Sequence, residues 1–177
     1  MKTKLLLALL VPALYVVSSC DDPKKANNYN QETTVDQSAF NFIKTAIDGS
    51  RTEVKLSAAA ARISQNPRIV RFAKMMITDH TKGIEELKAI RKKELINPND
   101  ALSIEHKELI DSLSKLSGTD FDKAYMAAMV ADHEKTVDLF REETQERAPS
   151  VQSFARKTLP TIEMHLDSAK AIATTLR

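Results

Sequence analysis

The sequence predicts an all-α protein built as a four-helix bundle, and three observations predict it. The composition is 28% charged and 5% aromatic with only three Gly in 177 residues, and it leans on the strong helix formers Ala, Leu, Lys and Glu. Apolar residues recur at steps of three and four through four long segments. Two of the three breaks between those segments are only two or three residues long, which joins neighbours as antiparallel hairpins. The same composition excludes other classes. A single Cys rules out a disulfide scaffold within the chain and any CxxC site. Neither a G-x-G-x-x-G nor a P-loop string occurs.

The first long helix is expected over residues 36–64, with Phe40, Ile43, Ile47, Ser50, Val54, Ser57 and Ala61 on its seam. Asn66-Pro67 then supplies an N-cap and a Pro at the first helical position. The second helix follows to about residue 95, with Ile69, Ala73, Met76, His80, Gly83, Leu87 and Ile90 facing inward. Asn97-Pro98-Asn99-Asp100 breaks it. A short amphipathic helix over residues 103–116 carries Ile104, Leu109, Leu113 and Leu116, and Gly118 ends it. Thr119-Asp120-Phe121-Asp122 resembles a capping box and opens a third long helix to residue 147, with Met126, Met129, His133, Val137 and Phe140 inward. Pro149-Ser150 starts the fourth, whose stripe includes Val151, Phe154, Ile162, His165, Ala169, Ile172 and Leu176. Pro160 falls inside this helix and is expected to kink it. The connection between the second and third long helices is about 24 residues, enough to return the chain along the bundle. A weak internal repeat relates Met76–Lys82 to Met129–Lys135.

The N-terminal residues read differently. Lys2 and Lys4 precede an apolar run from Leu5 to Val17, followed by Ser18-Ser19-Cys20. That is the pattern of a secretory signal, and the run is short for a membrane span. Val17-Ser18-Ser19-Cys20 resembles the lipobox of bacterial lipoproteins, in which the Cys thiol is lipidated and the chain is cut before it. The expected organisation is a signal peptide over 1–19, lipidated Cys20 with a polar tether over 20–36, and the bundle over 37–177. Cleavage would leave 24 basic residues against 24 acidic ones. A neutral mature chain offers no electrostatic case for nucleic acid. The expected setting is the bacterial cell envelope, anchored by lipid to the inner or outer membrane.

Three of the four His fall on the apolar seams of three different helices. A buried imidazole needs partners for both ring nitrogens. Counted from the turns, His133 lies about 15 residues before one break and His165 about 17 after it, a difference of roughly 2 Å along the axis. His80 lies about 15 residues beyond the first turn, which places Glu53 within roughly 3 Å of its level on the first helix. Glu53 belongs to the stripe Ala39, Ala46, Glu53, Ala60 beside the main seam. The expected result is a cluster of Glu53, His80, His133 and His165 at mid-bundle, where carboxylate and imidazole metal sites are built. Asp79 and Asp132 each precede a seam His and point about 100° away from it. Each either lies at the surface or acts on a neighbouring helix, as a further ligand or as an acceptor for a His N–H. His106, flanked by Glu105 and Lys107, is expected to be solvated. The donor set suits one ion of Zn, Fe, Cu or Mn. Met75, Met76, Met126, Met129 and Met164 lie within a heptad of a seam His, which keeps copper open, although such Met also serve as core filler. The same groups can instead form a metal-free hydrogen-bond network that fixes helix register.

Several strings carry a resemblance. Phe42-Ile43-Lys44, Glu53-Val54-Lys55-Leu56, Met76-Ile77-Thr78-Asp79-His80-Thr81-Lys82, Phe121-Asp122-Lys123-Ala124-Tyr125-Met126, Met129-Val130-Ala131-Asp132-His133-Glu134-Lys135 and Thr158-Leu159-Pro160-Thr161-Ile162-Glu163-Met164-His165-Leu166 together resemble the exported bacterial family called domain of unknown function 4142. The resemblance implies a ferritin-like four-helix bundle and an envelope location, and supplies no activity. The wider ferritin-like group often holds two irons through Glu-x-x-His on two helices. Here Ile77 stands three residues before His80 and Ile162 three before His165, so ferroxidase or di-iron oxygenase chemistry is not carried over. No Gly-x-Ser-x-Gly occurs, and the only Cys is spent on lipid, so no catalytic residue is assigned. Two readings remain. One is a lipid-anchored protein with a single transition metal in its core, serving metal handling or envelope stress protection. The other is a metal-free structural or interaction module that presents a helical face to a protein partner.

Overall fold

The computed structural model describes residues 37–94, 96, 101–145 and 148–176. The signal segment, Cys20 and the tether expected from the sequence lie outside the described residues. The chain folds into α1 (Gln37–Ile63), α2 (Pro67–Lys93), α3 (Ile104–Ser114), α4 (Gly118–Glu143) and α5 (Pro149–Ala173), closed by a 3₁₀ turn over Thr174–Leu176. There is no strand among the described residues. The most extensive packing is α1 on α2 and α4 on α5, the two hairpins implied by the short turns. Contacts of α1 with α4 and of α2 with α5 close the four-helix bundle.

The core divides into two apolar clusters. One contains Phe42, Ile43 and Ile47 from the start of α1, Leu87 near the end of α2, Val137 and Phe140 near the end of α4, and Phe154 early in α5. The other contains Leu56 and Ala60 from late α1, Phe72 and Met76 from early α2, Phe121, Tyr125 and Met129 from early α4, and Ile172 from the end of α5. So α1 and α5 run one way, while α2 and α4 both run the other. A chain that ends α2 in the first cluster and begins α4 in the second must travel back along the bundle. That return is the long connection, with α3 inside it. α3 packs on α1 and, more lightly, on α4, and drops Leu113 into the second cluster.

Local sequence explains most boundaries. Asn66 accepts the Arg68 amide at 3.0 Å and Pro67 opens α2. Ser103 caps α3 by accepting the His106 amide at 3.2 Å. The expected capping box at Thr119–Asp122 does not form. α4 begins two residues earlier than such a box implies, at Gly118, and Ser117 occupies the N-cap without a side-chain cap bond. The reason is Gly118 itself, whose φ of +55° turns the chain into the helix. Thr119 thereby falls inside the first turn, past the capping position. The seam of α1 is also shifted from expectation. Ala39, Ala46, Glu53 and Ala60 are buried, whereas Phe40, Val54 and Ala61 are only half-buried. α1 packs against α2, α4 and α3 together, so its buried arc is wider than a single-partner stripe and is centred one residue aside. α5 continues through Pro160, which sits on the exposed face, so the missing amide is lost on the solvent side.

Two contacts tie the halves of the bundle together. Phe42 meets Phe140 edge-on at 4.9 Å between centroids. Tyr125 is fully buried, and its hydroxyl lies 2.8 Å from Ser57 Oγ, joining α4 to α1. Tyr125→Phe strands the Ser57 hydroxyl and should lower unfolding free energy by about 1 kcal/mol. Gly118→Ala should cost about 1 kcal/mol through its left-handed backbone. Urea denaturation of each variant against the parent protein checks both.

Candidate metal centre

Between the two apolar clusters lies a polar layer to which four helices contribute. Glu53 comes from α1, His80 from α2, His133 from α4 and His165 from α5. Their relative exposures are 2, 7, 0 and 1%. The three rings sit 5.3–5.6 Å apart between centroids.

Each imidazole has one nitrogen engaged. His133 Nδ1 donates to the Met129 carbonyl at 2.9 Å, one turn back on its own helix. His165 Nε2 donates to Asp79 Oδ2 on α2 at 3.0 Å. His80 Nδ1 bonds Ser50 Oγ at 3.2 Å and lies 2.8 Å from Glu53 Oε2. A carbonyl or carboxylate oxygen on one nitrogen fixes the proton there and leaves the other nitrogen bare. The bare ones are His80 Nε2, His133 Nε2 and His165 Nδ1, all buried and without a hydrogen-bond partner. One ring nitrogen from each of the three His falls within 4.8 Å of the others, close enough for the three to hold a metal ion. Buried imidazole nitrogens without partners are costly unless something else binds them.

Burial decides the charge states. Desolvation holds His80, His133 and His165 below the usual histidine range, His80 down to about 4, against the smaller pull of nearby carboxylates. The rings are therefore neutral near pH 7, the form that ligates metals. Glu53 is pushed up by burial, offset in part by His133 and by a hydrogen bond with Asp132. Asp132 is pushed up to about 7, first by its own burial and then by the Glu53 charge and that shared bond. The bond favours a charged Glu53 and a protonated Asp132.

A family model described as "Domain of unknown function (DUF4142)" matches residues 24–172. The chain belongs to the DUF4142 family. None of the curated proteins matches it. Among solved structures, this DUF4142 chain is similar to the "Crystal structure of DUF305 fragment from Deinococcus radiodurans", with a TM-score of 0.71 at 16% identity. That match covers 79% of this chain and 97% of the other. At such identity the likeness shows a shared helical fold and nothing more.

The DUF4142 bundle brings His80, His133 and His165 to one level. Glu53, expected as a fourth ligand, stands against the far nitrogens of the rings instead. Its Oε1 lies 3.1 Å from His133 Nδ1 without receiving that proton, which goes to Met129. Asp79 reaches across to His165, and Asp132 reaches Glu53. Met76, Met126 and Met129 pack in the second apolar cluster, while Met164 is exposed. His106 corrects the sequence expectation. It is not fully solvated but 18% exposed, with Nδ1 bonded to Asp48 Oδ2 at 2.8 Å. Charged neighbours in the sequence suggested solvent, and no local signal reports that α3 lies across α1. Ser50 and the Met129 carbonyl were also missed as acceptors. Ser50 stood on the expected seam, but a backbone oxygen has no sequence signature.

The shifts give opposite pH dependences in the metal-free protein. As pH falls from 6.5 towards 4, the unfolded chain takes up protons that folded His80 refuses, so its contribution to stability is lost across that window. Asp132 has the reverse sign. Its folded carboxyl keeps a proton that the unfolded chain has released, so stability is lost as pH rises from about 4 to about 7. Asp132→Asn should therefore gain on the parent protein over that range, by up to about 1.4 kcal/mol per pH unit. Urea titrations at pH 5 and pH 8 check the sign.

Proposed function

We propose that this protein is a lipid-anchored component of the bacterial cell envelope whose bundle holds a single transition-metal ion on His80, His133 and His165. The observation that carries the reading is the set of three bare, buried ring nitrogens, each opposite a nitrogen already committed to an acceptor. A hydrogen-bond network alone would satisfy those atoms; here all three are without a partner, and one ring nitrogen from each His lies within 4.8 Å of the others. Tetrahedral coordination at about 2.0–2.1 Å spaces nitrogens by roughly 3.3 Å, and small rotations of the rings bring the three within that reach. The outward contacts follow the arrangement common in metal sites, where an acceptor on the far nitrogen orients each ring. Met129 carbonyl serves His133, Asp79 serves His165, and Ser50 with Glu53 serves His80. Glu53 and Asp79 are thus orienting carboxylates rather than ligands, and Asp132 sets the charge of Glu53.

Three neutral imidazoles suit zinc, copper or iron; manganese, which prefers carboxylate and water, fits the set less well. The role we assign to a protein with such a site is metal handling, or protection of the envelope from metal and oxidant stress. The N-terminal Lys2 and Lys4, the apolar run and Cys20 support secretion and anchoring.

Elemental analysis of protein purified without a metal-binding tag or chelator tests the site. Near-stoichiometric zinc, copper or iron should be found, and His133→Ala should lose it while retaining its helical spectrum. Absence of any ion after reconstitution would sink the reading. His80→Ala and His165→Ala would then only lower stability, by about 1–3 kcal/mol each. Cys20→Ser should move the protein from the membrane fraction to the soluble fraction, as immunoblotting of cell fractions would report.

A further inference from the structure

A cavity of about 400 Å³ reaches the polar layer from the side of α3. The buried His80 and His165 line its deep end, and each has a ring nitrogen that is buried and without a partner. Asp48 and His106 line it as well, and these two are partly open to solvent. The remaining charges in the lining are the carboxylates of Glu53, Asp79 and Glu105, while Asp132 keeps its proton. Lys135 is the exception, and its ammonium lies 3.7 Å from Glu105 Oε1. Such a chamber concentrates cations and repels anions.

Asp48 and His106 repeat, at the partly exposed end, the donor chemistry of the deep end. Asp48 Oδ2 accepts from His106 Nδ1, and Asp48 Oδ1 accepts the Ser103 amide at 3.1 Å, which pins the start of α3 to α1. Asp48 precedes Glu53 by five residues on one helix, roughly 7.5 Å along the axis. An ion at the outer pair is therefore one short step from the three bare nitrogens.

We propose that this chamber is the entry route for a divalent cation, and that Asp48 and His106 form an outer station from which the ion passes to His80, His133 and His165. The inference rests on the metal reading above and adds the path and two residues to it. A hydrated cation cannot enter a buried site with its full water shell. The Asp48 carboxylate offsets its charge while the His106 imidazole replaces water, so dehydration proceeds in stages.

The test is zinc uptake by the metal-free, full-length protein, followed by stopped-flow competition with a chromogenic chelator. Asp48→Asn, His106→Ala and His106→Asn should each slow uptake about tenfold with the equilibrium affinity for zinc unchanged. Asp111→Asn, on the exposed face of α3 and outside the cavity, should take up zinc at the parent rate. His106→Asn keeps an N–H where Nδ1 stood and removes the ring. A parent rate in that variant would reduce His106 to a strut and overturn the proposal. Parent rates in Asp48→Asn or His106→Ala, equal slowing in Asp111→Asn, or affinity falling with rate would overturn it too. A parent protein that takes up no zinc overturns the metal reading itself, and this inference with it.

Discussion

Three neutral imidazoles at one height of an otherwise apolar core are the constraint on which this bundle depends. Each ring must keep one nitrogen on an acceptor, and the acceptors come from three sources: a helix carbonyl, a carboxylate across α2 and α5, and a hydroxyl with a carboxylate across α1 and α2. Moving any helix by one residue displaces its side chains by 1.5 Å and turns them by about 100°. An apolar pair tolerates such a slip by repacking, because dispersion has no direction. A ring nitrogen 2.9 or 3.0 Å from its acceptor does not. The polar layer therefore sets the register that the aromatic cluster below it and the Ser57–Tyr125 contact above it then reinforce.

The layer also explains why the chain needs its long connection. α2 and α4 run in the same direction, so His80 and His133 can share a level only if the chain returns along the bundle between them. α3 is that return made compact. Its N-terminal end is held by Asp48 and its C-terminal end is buried through Leu113. The helix lies beside the cavity that reaches His80 and His165. Connectivity and access thus have one origin.

How much could be read from the residues follows from which forces have a period. The four long helices and the common level of His80, His133 and His165 were legible, because seam spacing and short turns convert sequence number directly into height. The position of Glu53 at that level was legible too. Which way its carboxylate faced was not, since that depends on competition among Ser50, Asp132 and two imidazoles from other helices. The start of α4 was misread because a left-handed Gly118 outranks a capping string that follows it. His106 was misread because its burial depends on a cross-helix acceptor, Asp48, 58 positions away. Short-range chemistry is written locally; the pairing of distant polar groups is not.

The three acceptors differ in kind, and this bears on how the site withstands genetic drift. Asp79 and Glu53 are side chains, so a single nucleotide change can remove the group that aims His165 or His80. The acceptor for His133 is the main-chain oxygen of residue 129, which every amino acid supplies while α4 remains helical. Orientation of the most deeply buried ring is thereby insulated from the identity of its neighbour. In a lineage under relaxed selection, the aim of His133 would outlast that of the other two, leaving one ordered imidazole as the last trace of the cluster.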